Sequence, residues 1–302
     1  VWDPAGGHKV RLTGEYLDNR MVTDLLSGRS ATVDNLVARD TGERWRIAGD
    51  WIWEGSGALE MARVNAYWQS AKDRQFTQED RTPLADRTRD NTFDNRVYGL
   101  AAEARVRFAT GPLQHKLVFG GDASWTRQQG IRDGTVPPAG ETFPSSAFPV
   151  TDYALAGLFV GDEISVGPLT LFPALRFDHY KLTPQADPLL PATFVTTGQS
   201  GSRLSPKMGA VLKLSQEVRL FANYAQGFRA PEPSQINQFF ETLAQGYTSR
   251  PNADLGPERS ESFEGGIRFT SEAVSLSATA FSARYKDFIS QEVVGGGFTP
   301  AN

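Results

Sequence analysis

Apolar and polar residues alternate along this chain with a period of two over unusually long runs, the pattern of half-buried strands. In 98–108 the even positions are Tyr98, Leu100, Ala102, Ala104, Val106 and Phe108, while Glu103, Arg105 and Arg107 hold odd positions. After Thr110, Gly111 and Pro112 the alternation resumes: Leu113, His115, Leu117, Phe119, Gly121, Ala123 and Trp125 oppose Gln114, Lys116, Asp122, Ser124 and Thr126. Successive side chains of a strand point to opposite faces, so these are two strands joined by a tight turn. The unit recurs. Trp45, Ile47, Gly49, Trp51 and Trp53 lead into a strand over 58–69, and Ala154, Ala156, Leu158, Val160, Ile164 and Val166 are followed by Leu169, Leu171, Leu175 and Phe177. Met208, Ala210, Leu212 and Leu214 precede Val218, Leu220, Ala222 and Tyr224; Phe263, Gly265, Ile267 and Phe269 precede Val274, Leu276, Ala278 and Ala280. With an opening strand carrying Val10, Leu12, Gly14 and Tyr16, the pattern predicts eleven strands.

The connections sort by length. Tight turns fall near 55, 111, 167, 215 and 272; long polar or Gly/Pro-rich connections cover 18–43, 70–95, 127–151, 182–203, 229–257 and 290 onward. Strict alternation of short and long connections puts the two ends of the sheet in different surroundings, as in an outer-membrane β-barrel with short periplasmic turns and long outer loops. The turn spacing also suits propeller repeats of roughly 50 residues, but a blade needs four short strands, and each repeat here holds two long ones. Tyr16, Trp45, Trp68 and Trp125 fall near loop ends, and Trp51 and Trp53 near a turn, where aromatic girdles meet membrane interfaces. The expected fold is all-β: an antiparallel transmembrane β-barrel with apolar residues facing lipid and polar residues facing the lumen.

Composition changes this picture in three ways. With 31 basic and 35 acidic residues the net charge is −4, which argues against a nucleic-acid partner needing a basic face. The absence of cysteine removes disulfides, thiolate metal sites and cysteine nucleophiles. The longest uncharged stretch, 188–202, contains two prolines and is largely polar, so no helical span is expected. Barrels of this kind have an even number of strands, and an open edge in lipid leaves backbone groups unsatisfied. Pro4, Ala5, Gly6 and Gly7 read as a further tight turn, and the eleventh strand ends near Ile289. Residues 1–302 are therefore expected to form one partial barrel domain, with more strands before and after it.

Between the ninth and tenth strands stand Phe228, Arg229, Ala230 and Pro231, and farther on Asn252, Ala253, Asp254, Leu255, Gly256, Pro257 and Glu258. Here the chain resembles TonB-dependent outer-membrane receptors, and most closely their haem/haemoglobin receptor branch. That branch carries Phe-Arg-Ala-Pro, matched without change, and Asn-Pro-Asn-Leu, matched by Asn252 and Leu255 while Ala253 and Asp254 depart from it. Residues 258–266 and Tyr285, Lys286, Asp287, Phe288 and Ile289 are also similar to the family. The resemblance implies a 22-stranded barrel with a plugged lumen, of which eleven strands are half. It further implies a plug domain, not present here, that contacts TonB through a TonB box. It also implies a Gram-negative outer-membrane location, contact with outer-membrane lipid, and transport in place of enzymatic activity. The transported ligand would be haem, from haem itself or a host haemoprotein, or else a ferric siderophore, with no permanently bound cofactor. Phe228, Arg229, Ala230, Pro231, Asn252, Asp254 and Leu255 become candidate ligand-binding residues by the same resemblance, and Arg229 is placed to meet a propionate or another loop's carboxylate.

The family places a haem-coordinating histidine between the two motifs, and residues 232–250 contain none. Tyr247 is the candidate axial ligand, because a phenolate can serve haem iron. His8, His115 and His179 read as interfacial residues on the turn side or lipid face. Pro233 and Ser234, followed by Ile236, Phe239, Phe240 and Leu243, have helical spacing and suggest a short helix with an apolar side. Two other classes fit the chain less well. A passive porin leaves the paired motifs without a role, and a hydrolase built on Ser124 lacks an inward histidine. Arg105, Lys116, Asp122, Arg176, Lys207 and Arg219 read as a polar lumen lining that contacts the plug.

Overall fold

The computed structural model of the protein describes residues 1–4, 6–138, 141–239, 241–242, 247–249, 252–293 and 297–301. In chain order the strands are β1 (His8–Asp24), β2 (Asn35–Glu54), β3 (Leu59–Asp80), β4 (Arg87–Thr110), β5 (Leu113–Gly134), β6 (Ser145–Val166), β7 (Leu169–Pro184), β8 (Gln199–Lys213) and β9 (Val218–Arg229). A short helix α1 (Pro233–Asn237) and strands β10 (Glu241–Thr242), β11 (Tyr247–Ser249), β12 (Glu258–Thr270), β13 (Ser275–Lys286), β14 (Ser290–Val293) and β15 (Gly297–Ala301) follow. Among the described residues, eleven strands form one antiparallel sheet in the order β1 to β9, β12, β13. The sheet does not close on itself. The four remaining strands form a separate small sheet in the order β10, β11, β15, β14.

Register keeps the two faces pure. Trp68, Tyr98, Trp125 and Ala154 stand opposite one another on consecutive strands, so one parity of residues shares one face. That face carries Ile47, Leu100, Leu158 and Phe177, all exposed, a density of uncovered apolar side chains that only lipid accounts for. The opposite face carries paired charges. Arg63 meets Asp50 at 2.7 Å, Arg176 meets Asp122 at 2.8 Å and Asp178 at 2.7 Å, and Lys116 meets Glu163 at 2.9 Å. Tyr16 and Trp45 lie with ring centroids 4.3 Å apart, as an interfacial girdle pair would. The tight turns fall where the sequence puts them, and Gly111 and Gly167 take the left-handed conformation there with φ of 59° and 55°.

The long connections are shorter than expected. Much of 18–43, 70–95 and 127–151 is strand: β3 runs on to Asp80, β4 begins at Arg87 and β5 continues to Gly134. These outer extensions leave the apolar layer, so both faces are polar and the period-two hydrophobic signal vanishes. Their ladder hydrogen bonds continue, reinforced by cross-strand pairs such as Arg74 with Asp90 and Arg87 with Glu79, each at 2.6 Å.

The ladder fails in one place. β7 and β8 pair from Leu169 with Leu212 to Leu182 with Gln199, but β8 and β9 pair only between Lys207 with Ala225 and Lys213 with Arg219. Pro206 lacks the N–H that would carry the ladder onward, so the upper part of β8 leaves β9. The apolar core fills this divergence: Tyr153, Tyr180, Leu182, Ala230, Ile236, Leu255 and Ile289 are buried together.

Candidate functional site

The two motifs meet at the outer end of β9 and β12. Arg229 and Glu258 are direct cross-strand partners, and Arg229 Nη1 donates to Glu258 Oε1 at 2.8 Å. The same oxygen accepts the Ile289 backbone N–H at 3.0 Å, and Glu232 lies 3.5 Å from the Arg229 guanidinium. The Glu258 carboxylate holds the Arg229 guanidinium further above its ordinary value. Arg229 thus meets loop carboxylates. β9 ends at Arg229, and Ala230 and Pro231 are buried immediately after it. Phe228, an extension of the outward girdle series by parity, instead packs against Tyr180 with centroids 6.0 Å apart. The reason is the departure of β8, which frees the top of β9 from its neighbour. A Cβ at Gly201 would come 2.7 Å from Tyr180 Cε1, so glycine there makes room for the ring.

The second motif closes the same base. Asn252 Oδ1 accepts the Asp254 backbone N–H at 2.9 Å, a turn that delivers Leu255 inward, where it is fully buried. The Leu255 carbonyl accepts from Gln199 Nε2. Asn237, also fully buried, accepts the Thr197 N–H and donates to the Thr197 carbonyl, both at 2.8 Å. The helical spacing of the sequence is realised only as α1, with Ile236 in the core and Gln235 Oε1 accepting the Glu232 N–H at 2.9 Å. Phe239 lies just beyond it, edge-on to Phe194 at 5.4 Å. Phe240 and Leu243 lie outside the described residues. The Tyr247 backbone is in β11, opposite Thr242 of β10, and its side chain lies outside what the structure describes. Asp254 and Arg229 are exposed.

The clamped loop borders a cleft that sequence reading did not find. A cavity of about 460 Å³ lies between α1 and the strand wall, lined by Phe93, Ala147, Phe148, Ser234, Gln235 and Gln238 among others. Phe93 and Phe148, with ring centroids 6.2 Å apart, also line a second cavity of about 750 Å³ over the outer parts of β1 to β6. Arg132, at its margin, donates to the Phe239 carbonyl, and burial pulls its guanidinium below its ordinary value. The two cavities therefore present two aromatic faces and amide donors and acceptors, with Arg132, already bonded to the Phe239 carbonyl, lining the second. Phe93 sits in a polar outer extension without hydrophobic alternation, so no periodic signal marks it. Phe148, opposite Gly130, lies inside the irregular stretch where β5 and β6 shift register.

The histidines lie elsewhere. His8 Nδ1 accepts from Trp51 Nε1 at 3.2 Å near the turn end, and His179 Nδ1 lies 2.9 Å from Ser202 Oγ. His115 stacks on Phe108 and is nearly buried, with Nδ1 2.6 Å from Asp162 Oδ2 and Nε2 2.7 Å from Thr110 Oγ1. Among the described residues no three His, Asp or Glu side chains converge as a metal site.

A family model described as TonB dependent receptor-like, beta-barrel, matches residues 3–302. The probable TonB-dependent siderophore receptor PirA of Acinetobacter baumannii is 33% identical over 167 residues, covering 49% of this chain and 22% of that protein. The hemin receptor of Yersinia enterocolitica is 24% identical over 208 residues, covering 65% of this chain and 28% of that protein. Among solved structures, the Serratia marcescens hemophore receptor HasR, in complex with its hemophore HasA and heme, superposes with a TM-score of 0.58 at 13% identity. That alignment covers 98% of this chain and 58% of the other. The chain thus spans about a quarter of the curated relatives and little more than half of the solved receptor.

Proposed function

This chain belongs to the TonB-dependent receptor β-barrel family, a family of transport receptors of the Gram-negative outer membrane, and we propose that the receptor it is part of takes up haem. In this reading residues 1–302 supply a section of barrel wall with its outer loops. A plug in the same receptor contacts TonB, and energy passed through TonB releases the captured ligand inward. The receptor binds and moves its cargo without chemical change to it.

The observation that carries the haem reading is the aromatic cleft against the motif-bearing loop. A flat, largely apolar ligand with two carboxylates suits a slot walled by Phe93 and Phe148, rimmed by Gln235 and Gln238, with Arg132 at its margin. The unchanged run of Phe228, Arg229, Ala230 and Pro231 and the kinship with a hemin receptor support it further. Tyr247 is the proposed axial ligand, the phenolate taking the place of the missing histidine. Free haem or a host haemoprotein is the proposed source.

The lack of histidine over 232–250 favours a second reading, a ferric siderophore as cargo, and the kinship with a probable siderophore receptor points the same way. Titrating the full-length receptor with hemin separates the two. A shifted Soret band whose phenolate-to-iron charge-transfer absorption is lost in Tyr247→Phe is the expected result. No Soret change, together with fluorescence quenching by a ferric catecholate, would transfer the assignment to siderophore uptake.

A further inference from the structure

We propose that the lipid-facing side of β4 to β7, immediately beyond the aromatic girdle, is a docking site for a phosphorylated glycolipid of the outer leaflet. The proposal rests on the outer-membrane placement of the barrel and is independent of the transported ligand.

Tyr98 and Trp125 are cross-strand partners on the lipid face, and both rings are more than half exposed. Two residues farther toward the long-connection end, Arg96 and Arg127 are direct partners in the same ladder. At about 3.3 Å per residue their stems lie roughly 7 Å beyond the rings. Like charges directly opposite each other in a sheet repel, and an anion between them relieves that cost. Asp152, the next partner in the row, is already engaged: it binds Arg127 through bonds of 2.8 and 3.0 Å and accepts Gln185 Nε2 at 2.8 Å.

Among the described residues no acidic side chain lies within ion-pair distance of Arg96 or of Lys181, which follows Trp125 and Ala154 in register. The neighbouring outward row alternates in sign through Glu43, Lys72 and Asp94, and Arg74 is held by Asp90. The excess of positive charge is therefore local. Arg96, Arg127, Lys181, Tyr98 and Trp125 line one groove of about 340 Å³. Its lower wall is aromatic and faces acyl chains; above it the Arg96 guanidinium presents a fork suited to phosphate oxygens beside Arg127, whose Nε and Nη2 hold Asp152, and Lys181, level with the rings, is long enough to extend toward the same place. An amphipathic molecule with sugar-linked phosphates above and hydrocarbon below matches both walls in the order they occur along the strands.

The test uses the purified full-length receptor in detergent. Bisphosphorylated lipid A, its dephosphorylated analogue and inorganic phosphate are the probes, read by thermal shift and by mass spectrometry of retained lipid. Arg96→Gln with Lys181→Gln is expected to weaken bisphosphorylated lipid A roughly ten- to thirtyfold. The dephosphorylated analogue should bind weakly to both proteins, millimolar inorganic phosphate should not compete, and Lys72→Gln should bind like the parent. Unchanged affinity in the double variant, equal binding of the dephosphorylated analogue, an equal loss in Lys72→Gln or competition by inorganic phosphate would each overturn the site. Heat-modifiable electrophoretic mobility reports barrel folding. Should the double variant lose it, Lys181→Gln alone, at an exposed position, carries the same comparison with an expected loss of about fivefold.

Discussion

Arg229 and Glu258, separated by the whole motif-bearing loop, are direct ladder partners joined by a 2.8 Å hydrogen bond, and the bonded carboxylate oxygen also holds the Ile289 backbone N–H. One carboxylate therefore ties the strand before the loop, the strand after it and the segment following β13. The conspicuous motif residues act first as the fastening of the loop base. The cleft borders what they hold in place.

Glu258→Gln should loosen this base without unfolding the sheet. The substitution weakens a charge-assisted bond to Arg229, and we expect a cost of about 1–2 kcal/mol, kept low because Arg229 is partly in solvent. Hydrogen exchange should quicken at Ile289 and across the loop while the amides of β2 to β5 keep their protection. Uniform exchange in parent and variant would argue against the clamp.

Leu255→Ala removes a fully buried side chain from the cluster with Ile236 and Tyr180. The expected local cost is about 2–5 kcal/mol. Limited proteolysis should then cut within 230–257 at protease concentrations that leave the parent intact, and the barrel should retain its heat-modifiable mobility. Resistance equal to the parent's would show that the loop is held by other contacts.

Phe93→Ala tests the cleft. Its ring is only partly buried and shares its packing with Phe148, so the barrel should survive while hemin affinity in a Soret titration falls about tenfold. Retention of full affinity would move the binding surface away from this wall.

Acid should act on the outer extensions before it acts on the apolar layer. The guanidinium of Arg74 beside Asp90, and that of Arg127 beside Asp152, hold these carboxyls below the usual carboxylate range through their hydrogen bonds. A depressed folded-state pKa gives stability that is present above the ordinary carboxylate value of about 3.9 and is lost as pH falls through the lower folded value. Hydrogen exchange in the outer parts of β3 to β6 should thus be flat from neutral pH to about 4 once corrected for intrinsic rates, and rise below that. Arg127→Gln should quicken exchange of the β5 and β6 amides already at neutral pH and shrink their further rise in acid, because the Asp152 carboxyl then has less depression to lose. An acid-induced rise as large in the variant as in the parent would mean that the pair does not set the acid limit.

The apolar layer was legible because lipid on one side and a polar lumen on the other impose strict alternation. Residues such as Leu100, Leu158 and Phe177 announce their face by parity alone, and the turns at Gly111 and Gly167 announce themselves by composition. Beyond Trp68, Tyr98 and Trp125 that constraint ends. The strands continue in water with both faces polar, and backbone pairing leaves no periodic trace, so the long outer hairpins looked like loops. The same limit hid Phe93 and Phe148, which are isolated aromatics in polar surroundings. Phe228 departs from its parity for a different reason: parity predicts orientation only while the ladder holds, and the ladder between β8 and β9 ends at Lys207 and Ala225.

By itself the sequence determined the fold class, the strand order, the two faces and the presence of a loop bearing two motifs. These follow from local rules: period-two burial, turn chemistry, and the rule that backbone groups in lipid must be paired. The tertiary structure decided which residues come together. Arg229 with Glu258, Phe228 with Tyr180, Phe93 with Phe148 and Arg96 with Arg127 are joined by register and by the path of a loop. Those depend on the sum of cross-strand contacts over many residues and are not carried by any one segment.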